Sequence, residues 1–596
     1  MTDRKELKIK FGGQWLTSPV NDTKVFCRET FTEDHQDIDA MVQEFARDRI
    51  LPNAEAIDKL DKELSLGLLR EMGELGLIGV DTPEEYGGTE LDKITSCIVI
   101  EGMARGGSPS FSCTFSVQTG IGSMGIVFYG TPAQKEKYLP KMMTGEWVSA
   151  YALTEPGAGS DALSGKTTAY LSEDGENYIL NGDKQFISNG SWANVFTVLA
   201  QVDGDKFSGF IIDRDTEGFD VGAEEKKMGM KGSSTTPLKF TNAIVPAENL
   251  LFKVGKGATI AFNALNVGRY KLAAACIGGS KLGLEYAISY AKDRRQFGQP
   301  IAQFDAMKGK ISDMTVRIYA ADSMLYRTVG LIQGVIDELD KSEPNYYKKM
   351  GEATEKFAIE ASMAKVFGSE TSDLVVDETL QIYGGYGFIE EYPMARAYRD
   401  DRINRIWEGT NEINRAIVTG YMMKKVLMEE ISLRDYLRDI DDFLSTEPSD
   451  LTGDIFQSEK FALESAKRLA SMVFQEALCE YGQDLKHEQQ LSEALADIFT
   501  YIYTSGSVIS RARQSQSSNG ISNMSSVIAR IFTAESLLEV KSLSNICLNK
   551  IFMETIPENF KDTINQLESR MTLTTDIISL KQSLADYMYT QNNYPF

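Results

Sequence analysis

The 596-residue sequence predicts an α+β fold, mainly α, with helices and strands kept in separate regions. Apolar residues recur at helical spacing over about 31–148 and again from about 256 onward, while the stretch between carries short runs rich in Val, Ile, Phe and Thr. This order of helices, strands and helices argues against alternating βαβ units. At roughly 150 residues per domain the length accommodates about four units.

Each region has its own justification. A polar leader, 1–30, precedes IDAMVQEFARDRILP and LGLLREMGELGLIGV, whose 3.6-residue apolar period marks an N-terminal helical domain, 31–148. Within it DTPEEYGGT, Asp81 to Thr89, breaks the period with a proline and paired glycines before LDKITSCIVIEGMAR resumes it. The runs NYILNGDKQFIS, VFTVLAQV, FSGFIIDR and PLKFTNAIV, separated by Gly, Asn and Asp, form a middle β-domain, 149–255. A helical bundle, 256–428, contains ATIAFNALNVGRYKLAAACIGGSKLGLEYAISYAKDRR and FAIEASMAKVFGSETSDLVVDETLQIY. A further helical domain, 429–596, opens with ISLRDYLRDIDDFLS; STEPSDLTGD separates this from FALESAKRLASMVFQEALCEY, and RQSQSSNGISNMSS reads as a loop.

Composition excludes several functions. Asp+Glu number 86 against Lys+Arg 62, a net charge of -24 that repels phosphate backbones and anionic headgroups, so a nucleic-acid partner is not expected. Only His35 and His487 are available for histidine-dependent catalysis or metal binding, and both sit in polar stretches that read as structural or solvated. Acid–base chemistry therefore falls to a carboxylate, Lys or Tyr. Six cysteines without paired spacing disfavour a zinc site or a disulfide framework and fit a reducing compartment. Neither a signal-peptide pattern nor a run of about 20 apolar residues is read, so a cytoplasmic protein without a metal is expected.

Four segments carry residues suited to chemistry. In YALTEPGAGSDA, Gly157 and Gly159 let the backbone approach a ligand, and Thr154 and Ser160 offer hydroxyls; taken alone this reads first as a Pro-Gly turn leading into a strand. YAKDRRQFGQP ends a helix with Arg294, able to grip a pyrophosphate but also at home on a solvated helix end. QIYGGYGF has a glycine-rich turn that does not match a Rossmann fingerprint. In RINRIWEGTNEINR, Glu408 lies between Trp407 and Gly409, where loss of hydration raises a carboxyl toward the range that abstracts a carbon-bound proton; alone, it also fits a residue ahead of a helix N-cap at Thr410.

Together and in this order YALTEPGAGSD, KQFISNG, NVGRYKLAA, RRQFGQP, QIYGGYGF and IWEGTNEINR resemble the acyl-CoA dehydrogenase family, over about residues 31–425. The resemblance implies that family's fold, with an N-terminal helical domain, a middle β-domain and a helical bundle, and FAD between them. It implies flavin contacts from Leu153, Thr154, Gly159, Ser160, Phe186 and Ser188. Arg294, Gln296 and Phe297 would hold the adenosine diphosphate part across a subunit boundary, with Gln381 and Gly385 nearby. Thr410 and Glu412 would complete the flavin contacts, Glu412 standing where the family often has Gln. Ser160, Asn266, Arg269 and Gly409 match positions near the CoA thioester, Asn266 replacing an aspartate of some relatives.

Glu408 matches the family's catalytic base. Relatives that place the base elsewhere carry Glu where this chain has Gly268. The implied reaction is α,β-dehydrogenation of an acyl-CoA to trans-2-enoyl-CoA. Glu408 would take the α-proton, hydride would pass to the flavin, and the Glu408 amide would support the thioester oxygen. Gly122 and Gly125 match small residues of the very-long-chain subgroup and are expected either to deepen the acyl pocket or to allow close helix packing. The extension beyond about 430 also resembles that subgroup, whose members tend to be dimers. Its acidic LRDIDDF character lacks the basic face needed for stable membrane anchoring. The resemblance thus implies a homodimer or higher homo-oligomer acting in fatty-acid β-oxidation and passing electrons to electron-transfer flavoprotein. An acyl-CoA oxidase using oxygen, and a scaffold or assembly relative without catalysis, remain open alternatives at this point.

Overall fold

The computed structural model describes residues 9–20, 24–446, 455–515, 521–553, 555–591 and 593–596. Most of the STEPSDLTGD separator, and the QSSNG part of the expected loop, lie outside the described residues.

The N-terminal region folds into α1 (Glu33–Phe45), α2 (Ala54–Asp58), α3 (Lys62–Glu74), α4 (Lys93–Ala104), α5 (Pro109–Thr119), α6 (Met124–Tyr129) and α7 (Pro132–Met143). Short polar caps start five of these helices: the side chains of Thr32, Asp61, Asp92, Ser108 and Thr131 each accept the backbone N–H of the third residue of the helix that follows. His35 is part of the Thr32 capping box, and its Nε2 lies 2.9 Å from Asp92 Oδ2, which fixes α1 to the start of α4. One stretch, Pro109–Tyr129, is long and apolar enough by composition to cross a membrane, contrary to the sequence expectation; 89% of its most apolar window is buried inside the protein, as two core helices joined by a turn.

The middle region forms β1 (Ser149–Ala152), β2 (Thr168–Leu171), β3 (Asn177–Ser188), β4 (Val195–Val202), β5 (Lys206–Asp213), β6 (Phe219–Val221), β7 (Thr235–Pro246) and β8 (Leu250–Leu251). They make one sheet in the order β6-β7-β3-β2-β4-β5-β8, with β1 parallel to β4. The β3–β7 register shifts between Lys184 and Ile187, and in that bulge Phe186 adopts a φ of 58°. A bulge re-aims a side chain, and Phe186 is 62% exposed.

The bundle comprises α8 (Gly257–Asp293), α9 (Asp305–Ile336), α10 (Tyr346–Glu355), α11 (Ala358–Tyr383), α12 (Pro393–Asp401) and α13 (Asn411–Leu427). The 37-residue α8 packs against α11, α4 and α9 and so joins both helical layers. A two-residue hairpin, β9 (Arg295–Gln296) with β10 (Gln299–Pro300), follows it. The extension supplies α14 (Leu433–Arg438), α15 (Ile440–Ser445), α16 (Gln457–Tyr481), α17 (Gln489–Gln514), α18 (Ile521–Ile551), α19 (Glu558–Arg570) and α20 (Ile577–Thr590), with α17 and α20 against α9. Helix therefore reaches into both ends of the expected loop at 513–526.

The leader is more than a polar tail. Gly13 N and Trp15 Nε1 both donate to Glu360 Oε1, at 2.7 and 2.8 Å, and the Trp15 ring lies 5.1 Å from that of Tyr503. This segment is wedged between the bundle and the extension.

Candidate active site

A cavity of about 380 Å³ opens where α5, α8, the β1–β3 edge and the loop before α13 converge. Apolar side chains such as Val117, Ile121, Leu265 and Leu272 form much of its wall. Glu408, Gly409, Trp407, Arg269 and Tyr151 add its polar groups. The Glu408 residue is half-buried, with one side toward the cavity, while its Oε2 is shielded and has no hydrogen-bond partner among the described residues. Burial pushes its carboxyl up to about 7, against the lowering effects of Arg269 and then Lys365. A carboxyl in that state takes and releases a proton near neutral pH. The Tyr151 hydroxyl is also buried and unpartnered, and desolvation raises its pKa, keeping the phenol neutral.

The loop that presents Glu408 is held by its carbonyls. Asn414 Nδ2 donates to the carbonyls of Glu408, Gly409 and Thr410 at 3.4, 2.8 and 3.0 Å. Lys365 Nζ donates to Gly409 O at 2.8 Å and Arg269 Nε to Glu408 O at 3.5 Å. Thr410 is the N-cap of α13, its Oγ1 accepting from Ile413 N, so the chain passes from the loop directly into a helix.

The β-domain wall brings together Leu153, Thr154, Gly159, Ser160, Phe186 and Ser188. A buried ion pair anchors this wall: Lys184 Nζ lies 2.7 Å from Glu155 Oε1 and donates to Leu153 O at 3.1 Å. Glu155 in turn accepts from the Thr167 amide at 3.1 Å. The turn in TEPGAGS is thus fixed by charge-assisted bonds that neither its proline nor its glycines announce.

Other expected site residues fall elsewhere. Arg294, Gln296 and Gly385 line a second, separate cleft with Tyr290, Tyr383 and Tyr386. Gln381 is exposed on the last turn of α11 beside it, and Phe297 is 94% exposed at the hairpin tip. Asn266 is buried outside the cavity lining, where its Oδ1 accepts from Arg269 Nη1 at 2.6 Å; it orients the arginine. Thr410 and Glu412 also lie outside the lining, Glu412 exposed on the first turn of α13. Gly122 and Gly125 are not among the residues lining this cavity. A Cβ on Gly122 would lie 2.4 Å from Ser149 Oγ, and one on Gly125 would lie 3.3 Å from Ile260 Cγ2, contacts that fit the close-packing expectation. Sequence reasoning missed Tyr151, Lys365, Asn414 and Cys113. Of these, Tyr151 and Asn414 carry a local signal, since they stand inside YALTEPGAGSDA and IWEGTNEINR; Lys365 and Cys113 do not.

Comparison with known proteins agrees with this architecture. Sequence models of the acyl-CoA dehydrogenase N-terminal, middle and C-terminal domains match residues 32–146, 150–243 and 255–423, and a second C-terminal domain model of the same family matches 465–554. A probable acyl-CoA dehydrogenase of Bacillus subtilis is 43% identical over 542 residues, covering 90% of this chain and 91% of that protein. The mitochondrial very long-chain specific acyl-CoA dehydrogenase of Rattus norvegicus is 34% identical, covering 78% of this chain and 72% of its own length. The crystal structure of an acyl-CoA dehydrogenase complexed with FAD from Bacillus anthracis superposes with a TM-score of 0.94 at 39% identity, covering 98% of this chain and 100% of that one. The chain belongs to the acyl-CoA dehydrogenase family.

Proposed function

We propose that this acyl-CoA dehydrogenase uses FAD to introduce an α,β double bond into fatty acyl-CoA thioesters, with Glu408 as the base. The observation that carries this reading is a carboxyl oxygen, buried and unpaired, at the edge of an apolar cavity. The residues fit a flavin. Phe186 is held out of the sheet by its bulge, a Cβ on Gly159 would meet nothing within 4 Å, and the Tyr151 hydroxyl and Trp407 Nε1 are buried without a partner among the described residues. Leu153, Thr154, Gly159, Ser160, Phe186 and Ser188 would hold the ring system. FAD bound there supplies a hydride acceptor for the β-carbon.

The protein's own part is proton transfer and positioning. Glu408 removes the α-proton, and its elevated pKa keeps the resulting carboxylic acid stable in a desolvated site. Among the described residues the Glu408 amide donates no hydrogen bond, so that N–H is free to polarise the thioester oxygen. Arg269, paired to Asn266, keeps a positive charge beside the developing enolate.

Long-chain substrates and electron-transfer flavoprotein are the preferred substrate class and acceptor in this reading. The likeness to the very long-chain specific enzyme and the apolar cavity wall support the first; Gly122 and Gly125 do not. A homodimer or larger assembly is supported by exposed Phe297 and Phe388 beside the Arg294 cleft. The test is anaerobic titration of the holoenzyme with butyryl-, octanoyl- and palmitoyl-CoA while the yellow flavin absorbance is followed. Bleaching by palmitoyl-CoA supports the long-chain reading, and bleaching by butyryl-CoA alone overturns it. Rapid reoxidation on mixing with oxygen would instead favour an oxidase.

A further inference from the structure

Glu408 and Gly409 both adopt the left-handed backbone region, at φ 58° and 80°. For a glutamate that conformation is strained and persists only where neighbouring groups enforce it. Asn414 acts from the loop's own helix and Arg269 from α8; Lys365 reaches it from α11. The Lys365 side chain is buried, and its ammonium donates to Gly409 O at 2.8 Å and to Asn411 Oδ1 at 2.7 Å, a carbonyl and an amide and neither a carboxylate. Asn411 is itself fixed by bonds from its Nδ2 to Ser369 Oγ and Glu370 Oε1, at 3.2 and 3.1 Å, so the lysine sits in a rigid frame on α11. Placing an ammonium among neutral dipoles is costly, and a neutral donor could hold one carbonyl without that cost.

We infer that Lys365 is a positioning residue for the proton-transfer step: its ammonium fixes the strained Glu408–Gly409 turn, and its charge biases Glu408 toward the carboxylate that accepts the α-proton. The inference rests on the reading of Glu408 as the base. The groups that act electrostatically with Glu408 are Arg269 from α8, Lys365 from α11, Tyr151 from β1 and Cys113 from α5. Only the first two are cationic. Arg269 is shared with Asn266, and Lys365 also feels Cys276 and Glu370. Burial pushes Lys365 down to about 8, so it stays largely protonated where Glu408, raised to about 7, becomes ionised. Removing this charge leaves Glu408 with one opposing cation and moves its proton affinity upward.

The test compares the Lys365→Met and Lys365→Gln holoenzymes with the parent, after flavin absorbance and thermal denaturation show that FAD and fold are retained. Anaerobic flavin bleaching by palmitoyl-CoA is timed across pH. The expected result is a bleaching rate reduced roughly ten- to a hundredfold in the methionine variant. Glutamine, whose amide can still donate to Gly409 O, should recover part of that rate. In both variants the acidic limb of the profile moves to higher pH, a change that a merely structural lysine would not produce. An acidic limb at the parental pH in both overturns the proposal, and Lys365→Gln carries the test if the methionine variant does not fold. Glu408→Gln is run in parallel. If it bleaches at the parental rate, the base assignment fails; if it is inert while both lysine variants keep the parental limb, only the role of Lys365 fails.

Discussion

Gly268 on α8 faces the Glu408 carboxylate so closely that a Cβ built there would lie 2.4 Å from Oε2 and 2.7 Å from Cδ. Contacts that short force one group to move, so the helix and the loop that carries Glu408 share a single volume that only a glycine leaves to the carboxylate. The same crowding gives a physical reason why a carboxylate at 268 and one at 408 are alternatives. Gly268→Ala is therefore expected to displace Glu408 and lower kcat by about a hundredfold. Alanine favours a helix interior over glycine by roughly 1 kcal/mol. Lost turnover with retained FAD and an unchanged or higher Tm would identify displacement, whereas parental kcat would contradict the crowding.

The titration of Glu408 should be visible in stability. Burial raises its folded-state value from 4.5 to about 7, so the folded protein binds this proton more tightly than the unfolded chain. That contribution favours folding below the unfolded value and is lost as pH rises through about 7. Glu408→Gln removes the cost of burying the charge. Its stability relative to the parent should be similar near pH 4 and greater at alkaline pH, by at most about 3 kcal/mol. Urea unfolding of both holoenzymes on either side of neutrality measures this, and a difference that shrinks as pH rises would contradict it. The same variant should retain FAD yet fail to bleach with acyl-CoA.

Lys184 makes a separate prediction on the flavin side. Its side chain is buried against Glu155, and removing one member of a buried pair typically costs 3–5 kcal/mol because the other charge is stranded. Lys184→Met should destabilise the protein by about that amount and weaken FAD retention, since Leu153 O and the turn after it lose their anchor. Equilibrium dialysis of FAD against the variant reads the second effect. Undiminished retention would mean that the turn holds its shape without the pair.

Much of the site was legible because its signals are local. Glu408, Thr154 and Ser160 stand in short motifs whose residue types already suggest their chemistry, and the change of apolar period near 149 and 256 marks where helices yield to strands. What stayed hidden depends on distant partners. Lys365 reads as an ordinary residue of a core helix until the fold sets it under a carbonyl 44 positions along the chain. Gly122 looks the same in sequence whether it opens a pocket or admits Ser149, and only the neighbour decides. The leader read as polar because Trp15 and its other apolar residues, such as Phe11 and Phe26, are scattered among polar ones. Its anchor, Glu360, lies 345 positions away.

The extension is attached to the core by buried charge as well as by apolar packing, and this gives the last prediction. Arg511 on α17 bonds Glu29 Oε2 and Asp322 Oδ2, each at 2.8 Å. Asp322 Oδ1 also receives Lys281 at 2.8 Å and Arg28 at 2.9 Å, and Glu101 receives Lys281 and the Tyr326 hydroxyl at 2.7 Å each. Three cations and three carboxylates thus meet from the leader, α4, α8, α9 and α17. The surrounding cations hold the Asp322 carboxyl far below its usual range despite burial. A depressed carboxylate contributes stability above its unfolded value, near 4, and that contribution fades as pH falls below it. Arg511→Met leaves Asp322 with two partners but strips Glu29 of its bonds to this guanidinium. The expected loss is about 3–5 kcal/mol at neutral pH, shrinking as the solution is acidified. Unfolding should also lose cooperativity, with α17 releasing before the bundle, because the keyed contact between them is gone. Denaturation of the variant followed by near-ultraviolet circular dichroism and by flavin absorbance tests this. Coincident transitions at parental stability would show that apolar packing alone fixes the extension.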